Sequence, residues 1–226
     1  MKTAFIFPGQ GSQKVGMGRD VYKNTEIGKS YLNKADEIME YDLSSIIFNG
    51  PENKLKETRF TQPALFTVSV ILGRLLVDRG SKPDFVAGHS LGEFSALTIA
   101  NSFDFETGLK LVQCRANAMY EAGKTLPGTM GAVIGLSPEK VQSICDDITK
   151  NGSVVSPANF NAPGQVVISG DIDAVQLCMS NAKECGAKMT VELNLSGAFH
   201  SALMKPARHS LAEILNSIQI RDADFP

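Results

Sequence analysis

The stretch Pro83-Asp84-Phe85-Val86-Ala87-Gly88-His89-Ser90-Leu91-Gly92-Glu93 leaves the chain few ways to fold. A short apolar run, read as a buried strand, passes into the apolar-periodic segment Phe94 to Ala100, read as a helix, with no residues left for a loop. Chain direction must therefore reverse over Gly88 to Gly92. Glycines two residues before and two after Ser90 tolerate the positive φ and close backbone approach of such a turn, in the pattern G-x-S-x-G. A serine at the apex is pushed into the open at a helix N-terminus. There the backbone N–H of Leu91 and the positive end of the helix dipole lie beside Oγ, so charge developing on an attacked carbonyl oxygen meets a donor already in place. The functional reading is a nucleophile for acyl transfer. The plain one is a tight strand-to-helix turn, which Gly and Ser commonly punctuate in any α/β domain.

The 226 residues, 43% hydrophobic and 20% charged, suffice for one globular domain with a smaller insert. A net charge of -2 gives no reason to expect nucleic acid as a partner. Cys114, Cys145, Cys178 and Cys185 show neither C-x-x-C nor paired His/Cys spacing, which argues against a metal site or a disulfide framework and fits a reducing cytoplasm. The N-terminal apolar run ends at Pro8-Gly9, too short for a signal-peptide core. The longest apolar run, Ala64 to Val77, contains Arg74 and falls short of a bilayer span, so it reads as a core helix and no membrane is expected.

Thr3 to Phe7 reads as a first buried strand, broken by Pro8-Gly9-Gln10-Gly11-Ser12-Gln13. Loops at strand ends are where α/β folds keep their chemistry. A nucleotide loop fails here, because G-x-G-x-x-G is not completed at Lys14 and no G-K-[ST] follows. A flexible turn remains. So does an oxyanion donor, Gln10 offering its backbone N–H or its side-chain amide where Leu91 would act, provided the fold brings the two strand ends together. Ser30 to Glu40 carries a helical apolar stripe, and a short element, Leu43 to Phe48, ends at Asn49-Gly50-Pro51. Thr61-Gln62-Pro63 opens the helix Ala64 to Asp78, with Thr61 as N-cap. Phe105 to Ala122 is amphipathic, with Arg115 on the edge of its stripe. That arginine snorkels outward, pairs with a carboxylate, or points into a cleft, where its fork would hold a substrate carboxylate by two parallel hydrogen bonds.

From Met130 onward the order is strand Gly131 to Leu136, helix Glu139 to Lys150 capped by Ser137, strands Val154 to Asn159 and Gln165 to Ser169 around the turn Asn161 to Gly164, helix Asp173 to Cys185 capped by Asp171, and strand Lys188 to Leu195. This βαββαβ succession is that of a ferredoxin-like unit. The resulting layout is an α/β chain with residues 1–126 and 196–226 forming a large subdomain and residues 127–195 inserted into it. A helix, Ala202 to Ile218, follows. His209 shares its polar face with Lys205, Arg208 and Glu213 and reads as a surface residue, and His89 sits inside the sharp turn next to Ser90. His200, in a Gly-Ala turn after a strand, is the best candidate base for Ser90. No acidic third member stands out, so a Ser-His dyad is the economical reading.

With Gly-Gln-Gly-Ser-Gln at 9 to 13, Gly-His-Ser-Leu-Gly-Glu at 88 to 93, Arg115, and Gly-Ala-Phe-His at 197 to 200, the chain resembles the malonyl-CoA:acyl-carrier-protein transacylases of fatty-acid and polyketide synthesis along its whole length. The resemblance implies an α/β-hydrolase-like large subdomain with a ferredoxin-like insert, malonyl-CoA as substrate, acyl carrier protein as partner and no bound cofactor. It implies Ser90 as nucleophile, His200 as base, Gln10 and the Leu91 N–H as oxyanion hole, and Arg115 as clamp on the malonyl carboxylate. Gln62 and Asn159 match positions near the family's cleft, and Phe199 matches the malonyl-selecting form of its motif. An acyl hydrolase and a non-catalytic carrier-protein-binding module are the alternatives on this scaffold. Family members are expected to continue past Phe225-Pro226 with a further strand, helices and a residue that steadies the histidine, so the chain reads as C-terminally short.

Overall fold

Alternation along Ala4–Phe7 gives the first strand, β1, one buried face, with Phe5 and Phe7 inside and Ile6 outside, in a computed structural model that describes residues 2–193, 195 and 197–226. The chain is α/β and divides into two compact units, Met1–Asn117 with Leu211–Pro226, and Ala118–Ser210. The division cuts through two helices rather than through loops.

In the first unit β1 is followed by α1 (Arg19–Asn24), α2 (Glu26–Met39), α3 (Leu43–Asn49), α4 (Glu52–Lys56), α5 (Thr58–Asp78), β2 (Phe85–Gly88), α6 (Gly92–Ile99) and the start of α7 (Phe105–Thr125). Thr25 starts α2 by accepting the Gly28 N–H, and Asp42 starts α3 by accepting that of Ser45, as side-chain oxygens do at helix N-termini. Strands β1 and β2 pair in parallel, Phe5 opposite Val86 and Phe7 opposite Gly88. The sequence predicts two buried strands. Both are instead only partly covered: Ile6 is 76% exposed and Phe85 is exposed, because α6 packs across this two-stranded sheet and, among the described residues, no further strand pairs with it.

The core of this unit gathers Phe66, Val70, Leu32, Ile47, Ile99 and Leu109. Helix α5 runs through it, buried from Thr61 to Ile71 without a break. It begins at Thr58, earlier than the sequence predicts, and Thr61 is not its N-cap. The Thr61 hydroxyl donates instead to the Leu55 carbonyl at 2.6 Å, while the N–H groups of Phe60 and Thr61 both reach the Glu57 carbonyl at 2.8 Å. Pro63 therefore lies inside the helix, where it forgoes one backbone bond, and the apolar packing of its neighbours carries the turn. At 21 residues α5 is long and apolar enough to cross a bilayer, but its buried side chains make it a core helix. The last residues return to α6 and β2: the Asp224 N–H donates to the Ala100 carbonyl and the Val86 N–H to that of Pro226.

The second unit takes up α7 and continues through β3 (Thr129–Ile134), α8 (Pro138–Thr149), β4 (Val155–Ala162), β5 (Gln165–Gly170), α9 (Ile172–Glu184) and β6 (Met189–Leu193), then a 3-10 turn (Ala202–Met204) and α10 (Lys205–Ser217), whose second half belongs to the first unit. Its antiparallel sheet has the order β4-β5-β3-β6. Val133, Val166 and Ile168 face Val141, Ile144 and Val175 of α8 and α9 in one core. Ser137 caps α8 as predicted, accepting the Lys140 N–H. Asp171 stands at the N-cap of α9 as predicted, but its carboxylate makes no cap bond; it accepts the Val154 N–H at 2.7 Å and ties β4 to the start of α9. Strand β4 runs three residues further than predicted, through two irregularities in its pairing with β5, one between Pro157 and Asn159 and one between Phe160 and Ala162. The last strand, predicted to run to Leu195, is β6 and ends at Leu193; Asn194 and Ser196 lie outside the described residues.

Phe66 is fully buried and stacks on Phe105 with ring centroids 5.6 Å apart. Phe66→Ala is expected to lower unfolding stability of the first unit by about 3–5 kcal/mol, read by urea denaturation. A loss below about 1 kcal/mol would mean that this packing is not the centre of the core.

Candidate active site

The turn after β2 is built by close backbone approach. A Cβ on Gly88 would lie 2.0 Å from the Glu93 nitrogen, and one on Gly92 would lie 2.2 Å from the Phe7 carbonyl oxygen, so no other residue fits at either position. The left-handed backbone falls on the serine itself, Ser90 having φ 54°. Such a conformation in a non-glycine residue persists only where its surroundings fix it. The glycines are thus required for contact, and the strained residue is the one whose hydroxyl is presented.

The loop after β1 is pressed against this turn. The His89 N–H donates to the Phe7 carbonyl at 3.0 Å, and a Cβ on Gly9 would come within 2.6 Å of the His89 carbonyl oxygen. The pairing of β1 with β2 meets the condition set by the sequence, that two strand ends come together, and brings Gln10 and Leu91 into one neighbourhood. Of the two donors Gln10 could offer, the side-chain amide is engaged elsewhere: Nε2 donates to Thr58 Oγ1 at 3.1 Å.

Helix α7 supplies the cation. Arg115 is only 8% exposed, donates from Nη1 to Gln62 Oε1 at 2.6 Å and from Nη2 to Ser90 Oγ at 2.9 Å, and stands 5.8 Å from the Phe94 ring centroid. Of the three readings of this arginine, outward snorkelling is excluded. Burial pulls its pKa down to about 10, opposed by the Glu93 carboxylate, so it remains a cation at neutral pH. Gln62 is 1% exposed and lies one helical turn after Thr58 on α5.

The second unit carries His200, Phe199 and Asn159. His200 is exposed and, like Ser90, has a left-handed backbone, φ 60°. The Ser201 hydroxyl donates to the Ala198 carbonyl at 2.7 Å and closes the turn around it. Phe199 is buried with Met119, Met130 and Met204. Asn159 is half-buried on β4, beside the first irregularity. His209 is exposed, as predicted. Among the described residues no group of three or more His, Cys, Asp or Glu side chains could hold a metal ion.

Residues 4–226 match the family described as the acyl transferase domain. The chain belongs to that family. It is 44% identical over 225 residues to the malonyl CoA-acyl carrier protein transacylase of Bacillus subtilis, covering 100% of this chain and 71% of that protein. It is 41% identical to the enzyme of the same name from Staphylococcus aureus, over 100% and 72%. Among solved structures it resembles the malonyl CoA-acyl carrier protein transacylase of Coxiella burnetii, with TM-score 0.95, 40% identity, and all of this chain and 72% of that one covered. It also resembles a malonyl-transacylase in complex with a type II polyketide synthase acyl-carrier protein, with TM-score 0.94, 40% identity and coverage of 100% and 73%.

Thr58 is the residue of this site that sequence reasoning missed, since a threonine before an apolar helix carries no signal of what its hydroxyl meets. Gln62 could have been found without any resemblance, as an uncharged polar residue at the head of a run buried on all sides. Gln62→Leu keeps the volume but strips a buried guanidinium N–H of its acceptor. It is expected to cost about 1–3 kcal/mol of stability at neutral pH, measured by denaturant unfolding. Unchanged stability would show that the 2.6 Å contact is not what satisfies Arg115.

Proposed function

We propose that the chain transfers a malonyl group from malonyl-CoA to the phosphopantetheine thiol of acyl carrier protein through an acyl-serine intermediate. The observation that carries this reading is the buried Arg115 guanidinium 2.9 Å from Ser90 Oγ. A malonyl thioester holds its carboxylate one methylene from the carbonyl under attack, so a cation adjacent to the nucleophile matches it and no longer neutral acyl chain.

In the proposed sequence His200 takes the Ser90 proton and Oγ attacks the thioester carbonyl. The N–H groups of Gln10 and Leu91 donate to the oxyanion, and collapse expels the CoA sulfur, which takes the proton from His200. The carrier-protein thiol then attacks the serine ester with His200 again as base, and Ser90 recovers its proton. Arg115, held by Gln62, binds the carboxylate throughout. Phe199 and Asn159 are assigned to substrate binding by their match to the family's motifs. No step calls for a bound cofactor. Names of the relatives support this assignment, and the carrier-protein complex of one structural relative supports the partner. The strand order of the second unit supports a ferredoxin-like insert, residues 127–195, in an α/β-hydrolase-like subdomain of residues 1–126 and 196–226. Cytoplasm is the compartment in which we place the reaction.

Selectivity follows from charge. An acetyl group offers the desolvated guanidinium no anion, and a buried cation without a counter-charge is costly. Mixing the protein with malonyl-CoA is expected to give a malonyl adduct by intact mass spectrometry that Ser90→Ala abolishes. Well-folded protein giving no adduct would refute the transfer. Arg115→Ala is expected to lower malonyl loading on the order of 100-fold and to narrow the preference over acetyl, in line with loss of a charged partner of about 2–3 kcal/mol. Because the guanidinium pKa is lowered to about 10, the clamp is charged below that pH and loses its charge above it. Malonyl loading at subsaturating malonyl-CoA should therefore fall as pH rises through about 10, while acetyl loading should not fall with it.

A further inference from the structure

Gln10 stands at the tip of a glycine-flanked loop whose base is packed at Gly9 against His89. Gly9 and Gly11 flank it, Gly11 with φ 109°, and the bonds of the loop are local: Ser12 Oγ donates to the Gly9 carbonyl at 2.5 Å, and the Gly11 N–H to Gln13 Oε1 at 2.8 Å. These bonds shape the tip, beyond the point at Gly9 where the base of the loop packs on the turn after β2. A long-range tether for the tip comes from Gln10 Nε2, which crosses 48 residues of sequence to Thr58 Oγ1. Thr58 is fully buried in the first turn of α5, a turn pinned by the Glu57 carbonyl and by the Thr61 hydroxyl on Leu55. One turn later, at the i+4 position and so on the same helix face, Gln62 holds Arg115.

We infer that Thr58 is a positioning residue: its hydroxyl anchors the Gln10 side chain so that the Gln10 backbone N–H, and not the amide side chain, is held as oxyanion donor beside Ser90. This rests on the acyl-serine reading. The first two turns of α5 then set both accessories of the nucleophile, the oxyanion donor through Thr58 and the carboxylate clamp through Gln62. A single rigid edge fixes their spacing, which a glycine-flanked loop could not do alone.

Thr58→Val is nearly isosteric and removes only the hydroxyl. Gln10→Ala cuts the same tether from the loop side while keeping the backbone N–H and leaving the buried helix untouched. The rate of malonyl-enzyme formation at saturating malonyl-CoA, the KM and the thermal midpoint are measured for both in the full chain, with Thr58→Ser and the double variant. Displacement of a donor by a fraction of an ångström predicts an acylation rate lowered about 10- to 100-fold in either single variant, with KM changed less than about twofold. Thr58→Ser should recover most of the rate, and Thr58→Val should add less than about twofold to Gln10→Ala, because the tether is already cut. Wild-type acylation in Thr58→Val, or a loss that is just as large in the Gln10→Ala background, overturns the inference. If Thr58→Val does not fold, Gln10→Ala alone decides, since wild-type acylation there shows the tether to be idle. A wild-type protein that acquires no malonyl adduct removes the transfer reading and this inference together, whereas a labelled wild type with an indifferent Gln10→Ala removes the inference alone.

Discussion

Everything in the first unit is arranged around the contact between the end of β1 and the turn after β2. Three glycines, Gly9, Gly88 and Gly92, are there because the backbones approach to distances at which a methyl group would overlap a carbonyl or an amide nitrogen. The hydrogen bond from the His89 N–H to the Phe7 carbonyl extends the parallel pairing of β1 and β2 into the turn. Ser90 can therefore keep a left-handed backbone, a conformation that costs on the order of 1–3 kcal/mol when unsupported. Helix α6 begins at Gly92 as soon as that constraint ends.

Arg115 is the second constraint, and it is electrostatic. A guanidinium so nearly buried loses most of its hydration, and hydrogen bonds to Gln62 and Ser90 replace part of it without neutralising the charge. The residual penalty is visible in the lowered pKa, which Glu93 only partly offsets. A lysine there would release its proton far more readily, and it lacks the planar fork that satisfies two acceptors in fixed directions. The free state thus holds a cation whose needs are incompletely met, which is the condition under which an incoming carboxylate gains most.

The strand-turn-helix around Ser90 was legible because it depends on local steric rules: a glycine pattern, an apolar run and no spare residues. The βαββαβ order of residues 129–193 was legible for a similar reason, since Gly186 and Ser137 mark helix ends with side-chain or backbone chemistry of their own. What escaped depends on distant partners. Thr61 has the residue type of an N-cap, but the Leu55 carbonyl six residues back claims its hydroxyl, and α5 starts earlier around Pro63. Asp171 likewise stands at a helix start and spends its carboxylate on Val154. The exposure of Ile6 and Phe85 follows from how many strands join the sheet, which composition of a four-residue strand cannot encode. At the site, Arg115 had three open readings until Gln62, 53 residues away in sequence, was seen to face it.

The proposed roles divide unevenly over the two units, and the division has a chemical consequence. Nucleophile, oxyanion donors and carboxylate clamp all belong to the first unit, set by β1, the turn after β2, α5 and α7. The proposed base, with Phe199 and Asn159, belongs to the second. Recognition of the carboxylate, in the proposed reading, is then a property of one unit, fixed by bonds inside it. In the proposed reaction charge selectivity is therefore the same whether the leaving sulfur belongs to a small thioester or the attacking one to a protein-borne thiol.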